Sequence, residues 1–170
     1  MPEGTNDMDI TVEINGRLRS ASVPIRMNAA DFLRHRLGLT GTHVGCEQGV
    51  CGMCTISVDG EPVKACIMLA VQLEGAEVRT VESLAQDGKL SRLQEAFKRH
   101  HALQCGFCTP AFLMLAKSME TRPTMPSRDE IREEISGTLC RCTGYEGIVR
   151  AIEDHLRTCI EKEATSDDSR

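Results

Sequence analysis

Cys46, Cys51 and Cys54 fall within one short stretch, GCEQGVCGMC (45–54), and Cys66 follows after eleven intervening residues. This C-x4-C-x2-C spacing puts three thiolates on one loop and brings a fourth from a separate element, the ligand arrangement of a [2Fe–2S] cluster. Such a cluster is anionic and gains a further negative charge on reduction. The chain must therefore wrap closely around it, with N–H groups aimed at sulfur. Gly45, Gly49 and Gly52 permit the positive φ values and the close approach that such a nest of donors needs. Those donors would in turn tune the reduction potential. Structural zinc sites favour paired C-x2-C knuckles, for which this spacing is unusual.

A second quartet lies further along. Cys105 and Cys108, in QCGFCTP, precede one apolar-periodic segment, and Cys140 and Cys142, in GTLCRCTGYEG, precede another. Both pairs sit at expected helix N-termini, where free N–H groups and the macrodipole favour negative charge. Four thiolates can thus meet between two helix starts. Taken alone, this quartet suits a zinc site as well as an iron–sulfur cluster; the neighbouring loop favours iron. The ninth cysteine, Cys159, is expected as an ordinary surface or core thiol on the last helix. Eight well-spaced cysteines leave no vacancy for imidazole ligands. His35, His43, His100, His101 and His155 are accordingly expected to be surface or structural residues, and KRHH (98–101) a solvated face or subunit contact.

The elements that must position these thiols differ between the two halves. From Asp9 to about Val81 the pattern is strand and turn. DITVEINGRLRSASV alternates Ile10, Val12 and Ile14 with polar neighbours and breaks at Asn15–Gly16, a hairpin signal. NAADFLRHRLG predicts one short helix with Phe32, Leu33 and Leu37 on one face, Asn28 as N-cap and Gly38 as its stop. TISVDGEPVKAC predicts a second hairpin around Asp59–Gly60, and GAEVRTV a further strand. Beyond Glu82 the pattern is helical. Leu90, Leu93 and Phe97 mark one helix, and Thr109 as cap with Pro110 opens the next. Ser127 and Glu130 form a capping box for a third, and Thr143 and Glu146 one for a fourth, striped by Ile148, Val149, Ile152, Leu156 and Ile160. The expected class is α+β: a disordered N-terminus over 1–8, a cluster-binding domain over 9–82, a four-helix bundle over 83–162 and a disordered tail over 163–170.

Composition limits the alternatives. With 170 residues, 41% of them hydrophobic, the chain can bury a core without disulfide help. Nine cysteines cannot pair off completely, and the polar, acidic start MPEGTNDMDI shows no secretory or transit signal. A reducing, cytoplasmic compartment is expected, where clustered thiols are metal ligands or redox groups rather than crosslinks. No membrane span is expected. A net charge of -5 with one Tyr, four Phe and no Trp offers nucleic acid neither a basic field nor stacking platforms.

Taken in order, GCEQGVCGMCTISVDGEPVKAC, QCGFCTPAFLM and LCRCTGY resemble the small iron–sulfur subunit of molybdenum hydroxylases of the xanthine dehydrogenase and aldehyde oxidoreductase type. The likeness runs from about Asp9 to Leu156. It implies an N-terminal β-grasp domain of the plant-type ferredoxin kind followed by a four-helix bundle, each with one [2Fe–2S] cluster. Cys46, Cys51, Cys54 and Cys66 would ligate the first, and Cys105, Cys108, Cys140 and Cys142 the second. Gln104 and Cys142 match positions that contact the pterin. The resemblance further implies a large molybdopterin-binding subunit and a medium FAD-binding subunit, arranged as a dimer of heterotrimers. Electrons would pass from molybdenum through the second and then the first cluster to FAD, with no substrate chemistry on this chain. A freestanding two-cluster carrier is the alternative, and a zinc-stabilised interaction module a third reading.

Overall fold

The computed structural model describes residues 6–122 and 124–167, the last six as backbone alone. Ile10, Val12 and Ile14, alternating with polar residues, all point into one core and define strand β1 (Asp7–Ile14). The chain reverses at Asn15 and Gly16, both at positive φ (51° and 78°), and returns antiparallel as β2 (Arg17–Pro24). β1 starts at Asp7, so Asp7 and Met8 join the sheet although the first eight residues were expected to lack order. The rest of that expectation, over residues 1–5, lies outside the described residues.

Asn28 accepts the Asp31 N–H at 2.8 Å and caps α1 (Ala29–Asp31), as expected. The helix does not continue as an α-helix. It widens into a π turn over Phe32–Arg36, in which the Leu37 N–H reaches the Phe32 carbonyl at 3.2 Å, and Gly38 at φ 72° ends it. This widening buries Phe32 and Leu33 together under the sheet. β3 (Thr55–Val58) and β4 (Glu61–Lys64) form the second hairpin around Asp59–Gly60. β5 (Glu77–Arg79) enters between the hairpins, parallel to β1 and antiparallel to β3, for a sheet order β2-β1-β5-β3-β4.

Four further helices follow: α2 (Arg92–Arg99), α3 (Thr109–Met119), α4 (Arg128–Ile135) and α5 (Tyr145–Asp167). Leu93, Phe97, Phe112, Ile131, Ile148 and Ile152 bury their stripes in one shared core, separate from the core under the sheet. The Ser127–Glu130 capping box forms as expected, and a second box, Ser91 with Gln94, opens α2. Three sequence expectations fail here. Leu90 stays outside α2 and is 47% exposed, because Ser91 caps the helix after it. Thr109 does not cap α3: Cys108 holds the N-cap position, and the buried Thr109 hydroxyl has no partner. Thr143 sits at φ 54° and turns its hydroxyl to the Cys142 carbonyl, leaving Glu146 to pair with Arg128 and Arg150. The backbone of α5 is helical to Asp167, four residues past the expected start of the tail; residues 168–170 lie outside the description.

A short 3-10 turn, Val81–Ser83, joins the halves, and the Asn15 side chain accepts the Thr80 N–H there at 2.8 Å. Met53 packs into the helical core, while its neighbour Cys54 packs under the sheet. α3 lies against β3 and β4. No helix among the described residues is long and apolar enough to cross a membrane.

Candidate metal centres

The first quartet is shaped by the second hairpin. Cys46, Cys51 and Cys54 occupy the loop before β3, and Cys66 arrives on the turn Ala65–Ile67 after β4. Because the Ala65 N–H bonds the Cys54 carbonyl at 3.1 Å, strand pairing delivers Cys66 beside Cys54, and the Cys66 N–H donates to Cys54 Sγ at 3.4 Å. At the other end, the N–H groups of Gln48 and Cys51 each donate to Cys46 Sγ at 3.4 Å. Gly49 and Gly52 have the expected positive φ (71° and 73°). Gly45 serves differently, by close approach: a Cβ there would stand 3.2 Å from Cys51 Sγ.

The second quartet sits between two helix starts. Cys105 and Cys108 precede α3, while Cys140 and Cys142 precede α5. The Gly144 N–H donates to Cys140 Sγ at 3.3 Å, and the Cys140 N–H donates to the Tyr145 hydroxyl oxygen at 2.7 Å. Cys105, Cys108 and Cys140 line a cavity of about 330 Å³.

Within each quartet the strongest thiol–thiol interactions run in pairs, Cys46 with Cys51, Cys54 with Cys66, Cys105 with Cys142 and Cys108 with Cys140, and weaker ones cross between them, Cys51 with Cys54 and Cys105 with Cys108. Among the described residues no group of three or more His, Cys, Asp or Glu side chains is placed to hold a single metal ion. A [2Fe–2S] cluster asks two thiolates of each of its irons, so paired thiols fit it. Each quartet is also electrostatically split. N–H groups of Cys51 and Gln48 draw the Cys46 thiol down to about 6, whereas burial pushes Cys54 up to about 11. In the second quartet the Phe107 N–H holds Cys105 below its ordinary value, while burial, with Cys140 alongside, pushes Cys108 up to about 12. Each site thus has one thiol that loses its proton more readily than usual, Cys46 or Cys105, and one whose burial opposes the charged form, Cys54 or Cys108.

The two sites touch through backbone. The Leu139 N–H, one residue before Cys140, donates to the Cys51 carbonyl at 2.9 Å. Gly52 makes this contact possible, since a Cβ there would lie 2.5 Å from the Gly137 carbonyl oxygen. Alongside, the His43 ring stacks on Phe107 at 4.7 Å between centroids, and its Nδ1 lies 2.7 Å from the Phe107 carbonyl oxygen.

Residues 12–85 match a family model described as a 2Fe-2S iron-sulfur cluster binding domain, and residues 80–153 match a second, described as a [2Fe-2S] binding domain. The small subunit of nicotine 6-hydroxylase from Paenarthrobacter nicotinovorans is 53% identical over 153 residues, covering 90% of this chain and 92% of that one. The xanthine dehydrogenase iron-sulfur-binding subunit of Escherichia coli O157:H7 is 40% identical, covering 88% and 96%. The crystal structure of quinoline 2-oxidoreductase from Pseudomonas putida 86 superposes with a TM-score of 0.88 at 53% identity, over 92% of this chain and 98% of that one. The chain belongs to the small iron–sulfur subunits of the molybdenum hydroxylases. An iron–sulfur subunit of this kind is part of an oxidoreductase complex.

In this iron–sulfur subunit Gln104 and Cys142 are brought together, the Gln104 side-chain amide donating to the Cys142 carbonyl at 2.9 Å. Residue spacing did not disclose the groups that join the two quartets. Leu139 acts through its backbone N–H, and His43 and Phe107 come from different halves; within the second quartet Tyr145 acts through its hydroxyl, and only the adjacency of Leu139 to Cys140 and of Phe107 to Cys108 hinted at any of them. KRHH is largely exposed, as expected, with Arg99 and His100 both engaging Asp154 of α5. Cys159 lies half-buried, its Sγ 3.5 Å from Nε2 of the buried His155.

Proposed function

We propose that this subunit relays electrons one at a time from a molybdopterin centre on a large partner chain to an FAD on a medium partner chain. In this reading Cys46, Cys51, Cys54 and Cys66 hold one [2Fe–2S] cluster in a β-grasp, ferredoxin-like domain over 9–82. Cys105, Cys108, Cys140 and Cys142 hold the other in the four-helix bundle over 83–162. When bound, the clusters supply two one-electron stations; the rest is positioning by the chain. The observation that carries the reading is the hydrogen bond from the Leu139 N–H to the Cys51 carbonyl at 2.9 Å, which links a cysteine of one quartet to the neighbour of a cysteine in the other.

The surface supports two partners. Leu103, Phe107 and Leu139 stand exposed around the second quartet, where Gln104 and Cys142 would reach the pterin. Val50, Ile67 and Leu69 stand exposed around the first, Ile67 lying over Gly49. Apolar side chains collected around two cysteine sites fit docking faces better than solvent. We assign the second-quartet face to the molybdopterin chain and the first-quartet face to the FAD chain, in a cytoplasmic dimer of heterotrimers. The names of two relatives at 53% identity specify nicotine and quinoline, so the substrate class inferred for the complex is a nitrogen heteroaromatic ring.

Native purification tests this directly. The subunit is expected to copurify with a molybdenum-containing and a flavin-containing chain and to carry about four iron and four labile sulfide. Cys51→Ser and Cys108→Ser should each abolish a different one of two electron paramagnetic resonance signals. A subunit that runs alone, or one holding stoichiometric zinc without colour, would refute the relay.

A further inference from the structure

The chain has one tyrosine, Tyr145, the first residue of α5. Its hydroxyl oxygen accepts the Cys140 N–H at 2.7 Å. A phenol that accepts through oxygen still has its own proton to donate. Among the described residues no acceptor takes that proton. Tyr145 borders the same cavity of about 330 Å³ as Cys105, Cys108 and Cys140. The other side chains around it are Met53, Phe107 and Leu139, which are apolar apart from one thioether, and Arg141, which can only donate. Among the side chains, cysteine sulfur is therefore the strongest acceptor that the cavity presents. The ring cannot readily swing away, since Phe112 meets it edge-on at 6.3 Å while the Cys140 N–H fixes its oxygen.

We propose that the Tyr145 hydroxyl donates a hydrogen bond to sulfur of the cluster held by Cys105, Cys108, Cys140 and Cys142, and that this bond raises the reduction potential of that site alone. The inference rests on the ligand assignment given under the proposed function. Reduction adds negative charge to the sulfur atoms, and a donor stabilises the more negative state more strongly. The first quartet, surrounded by backbone N–H groups, has no counterpart from a tyrosine, because the chain holds only one. Tyr145 is thus a positioning and tuning residue; Tyr145→Phe removes its donor and, with the same oxygen, the acceptor of the Cys140 N–H.

The test is a redox titration of the whole complex, followed by electron paramagnetic resonance, with the first-quartet signal as internal reference. Tyr145→Phe keeps the ring; it should retain both signals, lower the midpoint of the second-quartet signal alone and remove an exchangeable-proton coupling from it in pulsed measurements. Global replacement of tyrosine by 3-fluorotyrosine, a more acidic phenol, should move the same midpoint upward, and combining it with Tyr145→Phe should cancel that rise. Opposite shifts from the two changes would support the proposal. An unmoved midpoint in both, or an unchanged proton coupling in Tyr145→Phe, would overturn it and leave Tyr145 as a cap for the Cys140 N–H. A wild-type complex with a single signal would overturn the ligand assignment first, and the proposal with it.

Discussion

Gly52 shows how one side chain's absence holds two sites together. A Cβ at this position would meet both the Gly137 carbonyl oxygen and Thr138 Oγ1 at 2.5 Å, and φ is already 73°. Gly52→Ala should therefore cost about 1–3 kcal/mol in backbone strain before the clash is relieved. A drop in melting temperature measures that cost, and slower electron exchange between two otherwise intact signals reports the parted loops. Glu120 carries a different kind of test. Burial pushes its carboxyl up, but hydrogen bonds from His155 at 2.8 Å and Lys117 at 2.6 Å outweigh this and hold it below the ordinary value. A group depressed in this way adds stability that is present above its unfolded value of about 4.3 and lost as pH falls through the folded value. Melting curves of wild type and Glu120→Gln should accordingly be separate at neutral pH and converge under acid. Ligand candidates such as Cys46 and Cys105 were legible because thiol spacing is local in sequence. The Tyr145–Cys140 bond and the His43–Phe107 stack were not, since a hydroxyl's partner and a ring's neighbour depend on tertiary packing.

At the scale of elements, capping chemistry separates what sequence can announce from what it cannot. Ser127 accepts the Glu130 N–H and Glu130 answers at the Ser127 N–H, so Ser127→Ala should lower stability by about 1 kcal/mol. Thr143→Ala should cost less in denaturant melts, because the Thr143 hydroxyl bonds the neighbouring Cys142 carbonyl rather than a helix N–H. Both positions read as S/T-x-x-E, and only one is a box. The difference lies in the cysteine turn, which forces Thr143 to φ 54° and so removes it from the extended geometry that a cap needs. Both hairpins were legible from Asn15–Gly16 and Asp59–Gly60, whose positive φ values match the turn that such pairs favour. The π turn over Phe32–Arg36 had no such signal. It arises where Phe32 and Leu33 must both enter the sheet core, a demand set by partners distant in sequence.

For the whole molecule, the order of partners proposed above rests on the two exposed apolar collars. Ile67 is 63% exposed and Leu139 50%. Ile67→Glu should release the flavin-containing chain and Leu139→Glu the molybdenum-containing chain, as read by gel filtration, while both cluster signals persist. Loss of the same partner from both changes would refute the assignment of faces. The division of Met53 and Cys54 between the two cores carries a further consequence, for biogenesis. The loop that presents Cys46, Cys51 and Cys54 leans on Gly137, Thr138 and Leu139, which emerge from the ribosome more than eighty residues after it. Its final shape therefore waits until most of the chain has been made, and on the proposed ligand assignment iron insertion into the earlier-encoded cysteines is expected to follow translation rather than accompany it.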